Sequence, residues 1–337
     1  MTTYKDAGVD VEAGDEAVDR IRPMVRETFT PGVLADIGAF GSFFELDLGD
    51  VDRPVLVSSI DGVGTKGKVA ARAQRYDTVG QDLVNHCVND VAVCGARPLY
   101  FLDYVGTGTL DPGVAEAVVR GFTTACTENE CALVGGELAE MPDVYRAGDF
   151  DLVGTVVGVV DKADIVTGDD VAPGDVLLGL PSTGIHTNGY TLARTVLFEE
   201  YTVDDCPDAL GGASVGEALL RVHRSYLEAI QALVADGLAQ GIAHITGGGL
   251  PGNVPRVLPD DCAARIDYDA WTRPPLFDLI QELGDVPEAD LRQTFNLGIG
   301  LVAVVREADL DAARAALEAL GETPTVIGEV RARDEDE

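Results

Sequence analysis

Val55–Lys66 reads VLVSSIDGVGTK, and the rest of the chain can be read outward from it. Val55, Leu56, Val57 and Ile60 make a mostly β-branched apolar run of the kind expected of a buried strand. The run passes straight into Asp61-Gly62-Val63-Gly64-Thr65-Lys66. Two glycines let the backbone turn with its N–H groups outward, and such a nest beside a lysine suits phosphate oxygens. Asp61 would repel a phosphate unless a divalent cation lay between them, so the stretch points to a magnesium nucleotide. It is not a Walker A loop, which needs G-x-x-x-x-G-K-[ST]. The same residues also suit a tight turn carrying a solvated Asp and Lys.

The pattern of strand, glycines and polar group recurs. Cys131–Val134 predicts a short strand that ends in Gly135-Gly136-Glu137. Val176–Leu180 leads into Pro181-Ser182-Thr183-Gly184-Ile185-His186-Thr187-Asn188-Gly189-Tyr190, with a helix from Thr191. Ile242–Ile245 leads into Thr246-Gly247-Gly248-Gly249, where three consecutive glycines suggest close approach to a ligand. Between these, Thr78–Cys94 predicts a helix. Its Asp82, Asn85, His86 and Asn89 recur at helical spacing and share one stripe, with Asp90 beside it. Exposed helical faces usually carry Glu, Lys and Arg, so a stripe of Asp and Asn favours a functional face. Asp61, Asp90 and Glu137 then supply hard oxygen ligands suited to Mg²⁺. His86 by itself reads as structural. Ala218–Ala235 predicts one amphipathic helix, Thr294–Val305 a strand broken by Gly298 and Gly300, and residues 1–20 an arm that orders against something else. The tail RARDEDE reads as solvated. A polar Gly- and Pro-containing segment at 161–174 marks a boundary between two domains, 1–165 and 166–337.

Composition narrows the function. The 337 residues carry a net charge of −34, and four Lys stand against twenty Arg. Such acidity argues against nucleic acid and anionic membranes as partners, and for a cytoplasm of high salt, where self-repulsion is screened. No apolar run approaches the roughly 20 residues of a membrane span, and no signal peptide opens the chain, which predicts a cytoplasmic location. Six Cys without a C-x-x-C pair argue against structural zinc and read as small apolar residues.

With these segments placed, the chain resembles the phosphoribosylformylglycinamidine cyclo-ligase (aminoimidazole ribonucleotide synthetase) family from end to end. The matching runs are YKDAGVD (4–10), DGVGTK (61–66), CVND (87–90), FLDY (101–104), GGELAEMP (135–142), S-x-G-x-H-x-N-GY (182–190), HITGGG (244–249), N-x-PRVLP (253–259) and TFN-x-G-x-G (294–300). The resemblance implies a two-domain α/β (α+β) fold, in which an N-terminal mixed sheet builds a dimer barrel and a C-terminal α/β domain packs on it. It implies a homodimer with the nucleotide at the subunit interface, ATP and Mg²⁺ as cofactors with a monovalent cation left open, and a small ribonucleotide substrate. It implies ATP-driven closure of formylglycinamidine ribonucleotide to aminoimidazole ribonucleotide. By the same resemblance Asp61, Asp82, Asp90 and Glu137 would hold the metal. Gly62, Gly64, Thr65, Lys66, Asn89, Gly135 and Gly136 would line the phosphates. Ser182, Thr183, Gly184, Asn188, Thr246, Gly247, Gly248, Gly249 and Asn253 would bind the ribonucleotide, with His186 and His244 as acid–base candidates. Superfamily relatives such as selenophosphate synthetase and thiamine-monophosphate kinase share this pattern. The first Cys here is Cys87, however, and the second-half glycine motif carries Thr246 rather than Asp.

Overall fold

A computed structural model describes residues 2–49 and 51–333; the acidic end expected to be solvated, 334–337, lies outside them. Two sheets organise the chain. In the first, β1 (Pro54–Gly62), β2 (Arg97–Thr107), β3 (Ala132–Glu140) and β4 (Phe150–Asp161) lie in the order β1-β4-β2-β3. Only the β2–β3 pair is parallel. In the second, β5 (Val176–Pro181), β6 (Ala239–His244), β7 (Cys262–Ile266), β8 (Ile299–Val305) and β9 (Thr325–Ala332) lie in the order β6-β8-β5-β9-β7, antiparallel throughout.

Helices α1 (Val11–Glu27), α2 (Lys66–Ala73), α3 (Asp77–Ala92) and α4 (Pro112–Glu128) belong to the first half. α3 crosses α4 at two glycines. A Cβ on Gly80 would stand 2.2 Å from the Val118 carbonyl oxygen, and one on Gly121 would stand 2.1 Å from that of Asp77. This close crossing lets α3 and α4 cover one face of the first sheet. The other face is only partly covered, where Phe44 packs on Tyr100. Leu56 and Ile60 of β1 are 56% and 67% exposed, so the strand expected to be buried is covered on one side only.

The apolar core is continuous across the halves. Leu83, Val88, Phe101 and Phe122 of the first join Leu180, Ile185, Leu219 and Ile230 of the second in one cluster. Leu177, Val302, Val304 and Ile327 form a second cluster within the five-stranded sheet's half. Four cysteines are buried, Cys94 is half-buried and Cys206 exposed.

Two elements depart from the sequence reading. Gly135-Gly136-Glu137 does not open a turn: it continues β3, with Gly135 opposite Leu102, Gly136 opposite Asp103 and Glu137 opposite Tyr104. The helix expected over 218–235 is two helices, α6 (Val215–Leu219) and α7 (Leu227–Ala235), separated by residues without helical structure. The remaining helices are α5 (Tyr190–Glu200), α8 (Gly249–Asn253), α9 (Pro275–Gly284), α10 (Glu288–Thr294) and α11 (Leu310–Ala319). Between α1 and β1, Phe44 makes a single β-bridge to Val33.

Candidate active site

The polar stripe of α3 explains that helix break. Asp82 Oδ1 accepts from the His223 backbone N–H at 2.7 Å, and Asn85 Nδ2 donates to the His223 carbonyl at 2.8 Å. Asn89 Nδ2 donates to the Arg224 carbonyl at 3.0 Å, and its Oδ1 accepts from the Tyr226 N–H at 2.7 Å. Asn129 steadies Asn85 through a 2.8 Å bond to Oδ1. The stripe satisfies backbone groups that a helix would otherwise have paired internally. Asn89 is therefore an interdomain clamp and not a phosphate ligand. Asp82 is not free for a metal either: it is fully buried against Lys66, at 2.7 Å. Lys66, expected to face phosphate, points inward, and its Nζ also donates to the carbonyls of His186 and Arg221 at 3.0 and 2.8 Å.

The clamped segment delivers His223, which the sequence reading did not single out. All four histidines of the chain, His86, His186, His223 and His244, are buried in one cluster. Five hydrogen-bond links run through three of them from Asp61 to Asp90. Asp61 Oδ2 lies 2.9 Å from His86 Nε2, and His86 Nδ1 lies 2.7 Å from Thr187 Oγ1. Thr187 Oγ1 is 3.4 Å from His223 Nδ1, His223 Nε2 is 3.0 Å from His244 Nε2, and His244 Nδ1 is 2.8 Å from Asp90 Oδ1. Five links need five hydrogens. Three neutral imidazoles and one hydroxyl supply four. With both carboxylates ionised, the chain of links holds one extra proton, whichever tautomers are chosen.

Charge places that proton on His86. Burial pulls His86 down, but Asp61 at 2.9 Å and Asp90 at 3.9 Å outweigh it and hold its pKa above the usual value. Burial pushes Asp61 and Asp90 up, yet their histidine partners, with the Gly62 N–H on Asp61 and Ser59 on Asp90, leave both below the ordinary range. For His244 burial prevails over Asp90 and its pKa falls. Burial and neighbouring cationic groups hold His186 and His223 well below the usual value. His186 and His223 stack at 4.0 Å with planes 12° apart, so their in-plane lone pairs run side by side and do not converge on one ion.

Beside this pole a cleft of about 640 Å³ opens between the halves. Gly64 and Thr65 line one side. Thr187, Asn188, Gly189, Tyr190, Thr191 and Thr195 line the other, with Thr294. Thr65 and Thr191 hydroxyls meet across it at 3.1 Å. The N-terminus of α5 faces this space, with the backbone N–H groups and dipole that favour anions. Gly247 borders it through Asn188.

Family models described as AIR synthase related protein match the chain in two parts, the N-terminal domain over residues 47–160 and the C-terminal domain over 172–337. A phosphoribosylformylglycinamidine cyclo-ligase of Sorangium cellulosum (strain So ce56) is 52% identical over 332 residues, 97% of this chain and 95% of the relative. Another, of Anaeromyxobacter sp. (strain Fw109-5), is 51% identical over 328 residues, 97% of this chain and 95% of the relative. The chain belongs to the phosphoribosylformylglycinamidine cyclo-ligase family. Among solved structures, thiamine-monophosphate kinase from Stenotrophomonas maltophilia K279a superposes with a TM-score of 0.71 at 21% identity, covering 95% of this chain and 94% of that one. Hydrogenase maturation protein HypE in complex with ATP gives 0.65 at 21%, covering 96% and 87%. At such identities the two share the cyclo-ligase fold.

Several residues expected in the cyclo-ligase site shape it from behind. Ser182 donates its hydroxyl toward Asn296 Oδ1 and the Gly184 carbonyl, at 2.9 and 3.0 Å. Thr183 donates its hydroxyl to the Val222 carbonyl. Asn253 Nδ2 reaches the Gly247 and Gly249 carbonyls and its Oδ1 accepts from Thr246, so it moulds the glycine loop without facing a ligand. A Cβ on Gly249 would lie 2.0 Å from the Arg292 carbonyl oxygen. The close approach there is to the chain itself, while Gly248 serves at φ 99°. Glu137 stands apart. Asp61 pairs with Gly154, Gly154 with Asp103, and Asp103 with Gly136. Three strand spacings of about 4.8 Å put Glu137 roughly 14 Å across the sheet from Asp61, too far to share one Mg²⁺ within a chain.

Proposed function

We propose that the chain is a ligase that closes the imidazole ring of 5-aminoimidazole ribonucleotide from formylglycinamidine ribonucleotide, consuming ATP and releasing ADP and phosphate, in purine biosynthesis. The γ-phosphoryl group passes to the formamide oxygen, the amidine nitrogen attacks the activated carbon, and phosphate leaves with that oxygen. One proton is lost from nitrogen. The observation that carries this reading is Thr187, which lines the Gly64–Thr65 and Asn188–Thr191 cleft and bonds His86 of the Asp61–His86–Asp90 pole at 2.7 Å.

Asp61 and Asp90 fit a magnesium ion. Both are hard oxygen donors, both remain partly exposed at 40% and 29%, and each keeps lone pairs beyond its present partners. Mg²⁺ commonly takes one or two carboxylates plus phosphate oxygens. When bound, it would neutralise charge on the terminal phosphates. The His86 imidazolium holds the two carboxylates in orientation. The cleft's N–H groups and hydroxyls, with the Thr246–Gly249 loop nearby, receive phosphate and ribose oxygens. His244 would take a proton only on Nε2, in place of the His223 N–H at 3.0 Å, with Asp90 on Nδ1 offsetting the charge it would gain. His186 offers an Nδ1–H to the substrate, since its Nε2 accepts from the Thr183 N–H at 3.2 Å.

The partly open face of the first sheet and the distant Glu137 support a homodimer. A second copy on that face would bring its own Glu137, with Gly135 and Gly136, toward the Asp61 pole. Domains 1–165 and 166–337, a cytoplasmic setting and a high-salt milieu complete the reading. No helix among the described residues is long and apolar enough to cross a membrane.

The test is an ADP-release assay in high-salt buffer with Mg-ATP and formylglycinamidine ribonucleotide, followed by detection of the aminoimidazole. ADP formation that depends on the ribonucleotide is expected. ATP hydrolysis indifferent to it, or no imidazole product, would refute the assignment. Retention of kcat with only KM raised in both His186→Gln and His244→Gln would remove the acid–base and donor roles.

A further inference from the structure

We propose that Lys66 and Asp82 form a positioning pair that fixes the backbone of His186. Lys66 Nζ donates to the His186 carbonyl at 3.0 Å and the Arg221 carbonyl at 2.8 Å, and stands as an ion pair 2.7 Å from Asp82 Oδ2. Its side chain is 0% exposed. Asp82 closes the arrangement by accepting the His223 N–H through its other oxygen. The pair thus reaches from α2 and α3 of the first half to two loops of the second.

His186 needs such a hold. Its φ is 64°, in the left-handed region that strains any side chain other than glycine. The carbonyl gripped by Lys66 belongs to this strained residue. The ring is fixed independently by the Thr183 N–H on Nε2 and by the stack on His223. Gly300 makes room for it, since a Cβ there would lie 2.6 Å from His186 Cε1. What remains is Nδ1, buried and without a partner. Of the two ring nitrogens only Nε2 is tied down, and Nδ1 is left over.

A pair that only stabilised the core could be exchanged for apolar residues at little loss. Apolar residues cannot donate to the His186 and Arg221 carbonyls, which separates the two roles. The experiment compares the full-length protein with the double variant Lys66→Met/Asp82→Leu in high salt, by ¹⁵N-histidine NMR and by steady-state kinetics. With four histidines in the chain, the imidazole spectrum is small, and His186→Gln assigns the His186 signals. In the double variant the His186 ring signals are expected to shift and broaden. The kinetic arm rests on the ring-closure reading: kcat should fall about 100-fold, as a displacement near 1 Å would cause, with KM for Mg-ATP held within about twofold. An unmoved His186 signal, or a raised KM for Mg-ATP with kcat kept, would overturn the proposal. Should the double variant not fold, Asp82→Asn, which keeps acceptors for Lys66 and the His223 N–H, is read by the same criteria. A wild-type protein without ring-closing activity would end the functional reading alone, because the NMR comparison needs no turnover.

Discussion

Asp103 stands mid-strand in β2 opposite Gly136, and no ion pair among the described residues reaches it. Asp103 is half-buried, and this partial burial pushes its carboxyl up to about 7. An acid with a raised folded pKa favours the protonated native state, so stability declines as pH climbs from the unfolded value, 3.8, through about 7. Asp103→Asn removes that penalty. Its thermal midpoint should exceed wild type at pH 8 and match it near pH 4, as read by calorimetry; an equal difference at both values would contradict this. His86 follows the same sign, because its pKa too is raised in the folded state. Its raised pKa gives stability that is complete below 6.5 and fades as pH rises through the folded value. His86→Gln should therefore lower the midpoint most near pH 6, and the gap should narrow by pH 9 in metal-free buffer.

Between α6 and α7 the apolar period of a helix runs on unbroken in the sequence, while the backbone does not. The side chains of α3 decide the matter: they supply the hydrogen bonds that a helix would have made with itself. Asn89→Leu leaves the Tyr226 N–H and the Arg224 carbonyl without these partners, and should destabilise by about 2–4 kcal/mol in denaturant titration. A loss below about 0.5 kcal/mol would show that the clamp is dispensable. Most strands and helices were legible as alternating or helical apolar spacing, and Asp61 and Asp90 as acids at a strand end and on a helix. His223 was not, because no motif surrounds it and its place depends on a contact more than 130 residues away in sequence, at Asn85 and Asp82. The inward turn of Lys66 was hidden for a related reason. Glycines beside a lysine look alike whether the amine meets phosphate or a buried carboxylate. Gly135-Gly136 misled because an edge strand tolerates glycine where a turn prefers it.

The partly open face of the first sheet belongs to the molecule as a whole. Leu56 and Ile60 project from it, and a soluble monomer would gain little by leaving them in water. Ile60→Asp should convert a dimer to a monomer in sedimentation velocity and abolish turnover by removing the partner's Glu137. A fully active monomer would exclude a shared site. The net charge of −34 acts at the same scale. Raising salt from about 0.15 M to 1 M shortens the screening length from about 8 Å to about 3 Å. The thermal midpoint should climb steeply over that range; a flat response would mean that self-repulsion is unimportant. The burial of every histidine has one more consequence. What faces water is charged by carboxylates, arginines and lysines, whose ionisation is constant across the neutral range. Among the described residues the imidazoles, the side chains that ordinarily titrate nearest neutrality, all lie inside. A potentiometric titration of this protein near neutrality would count protons entering its interior.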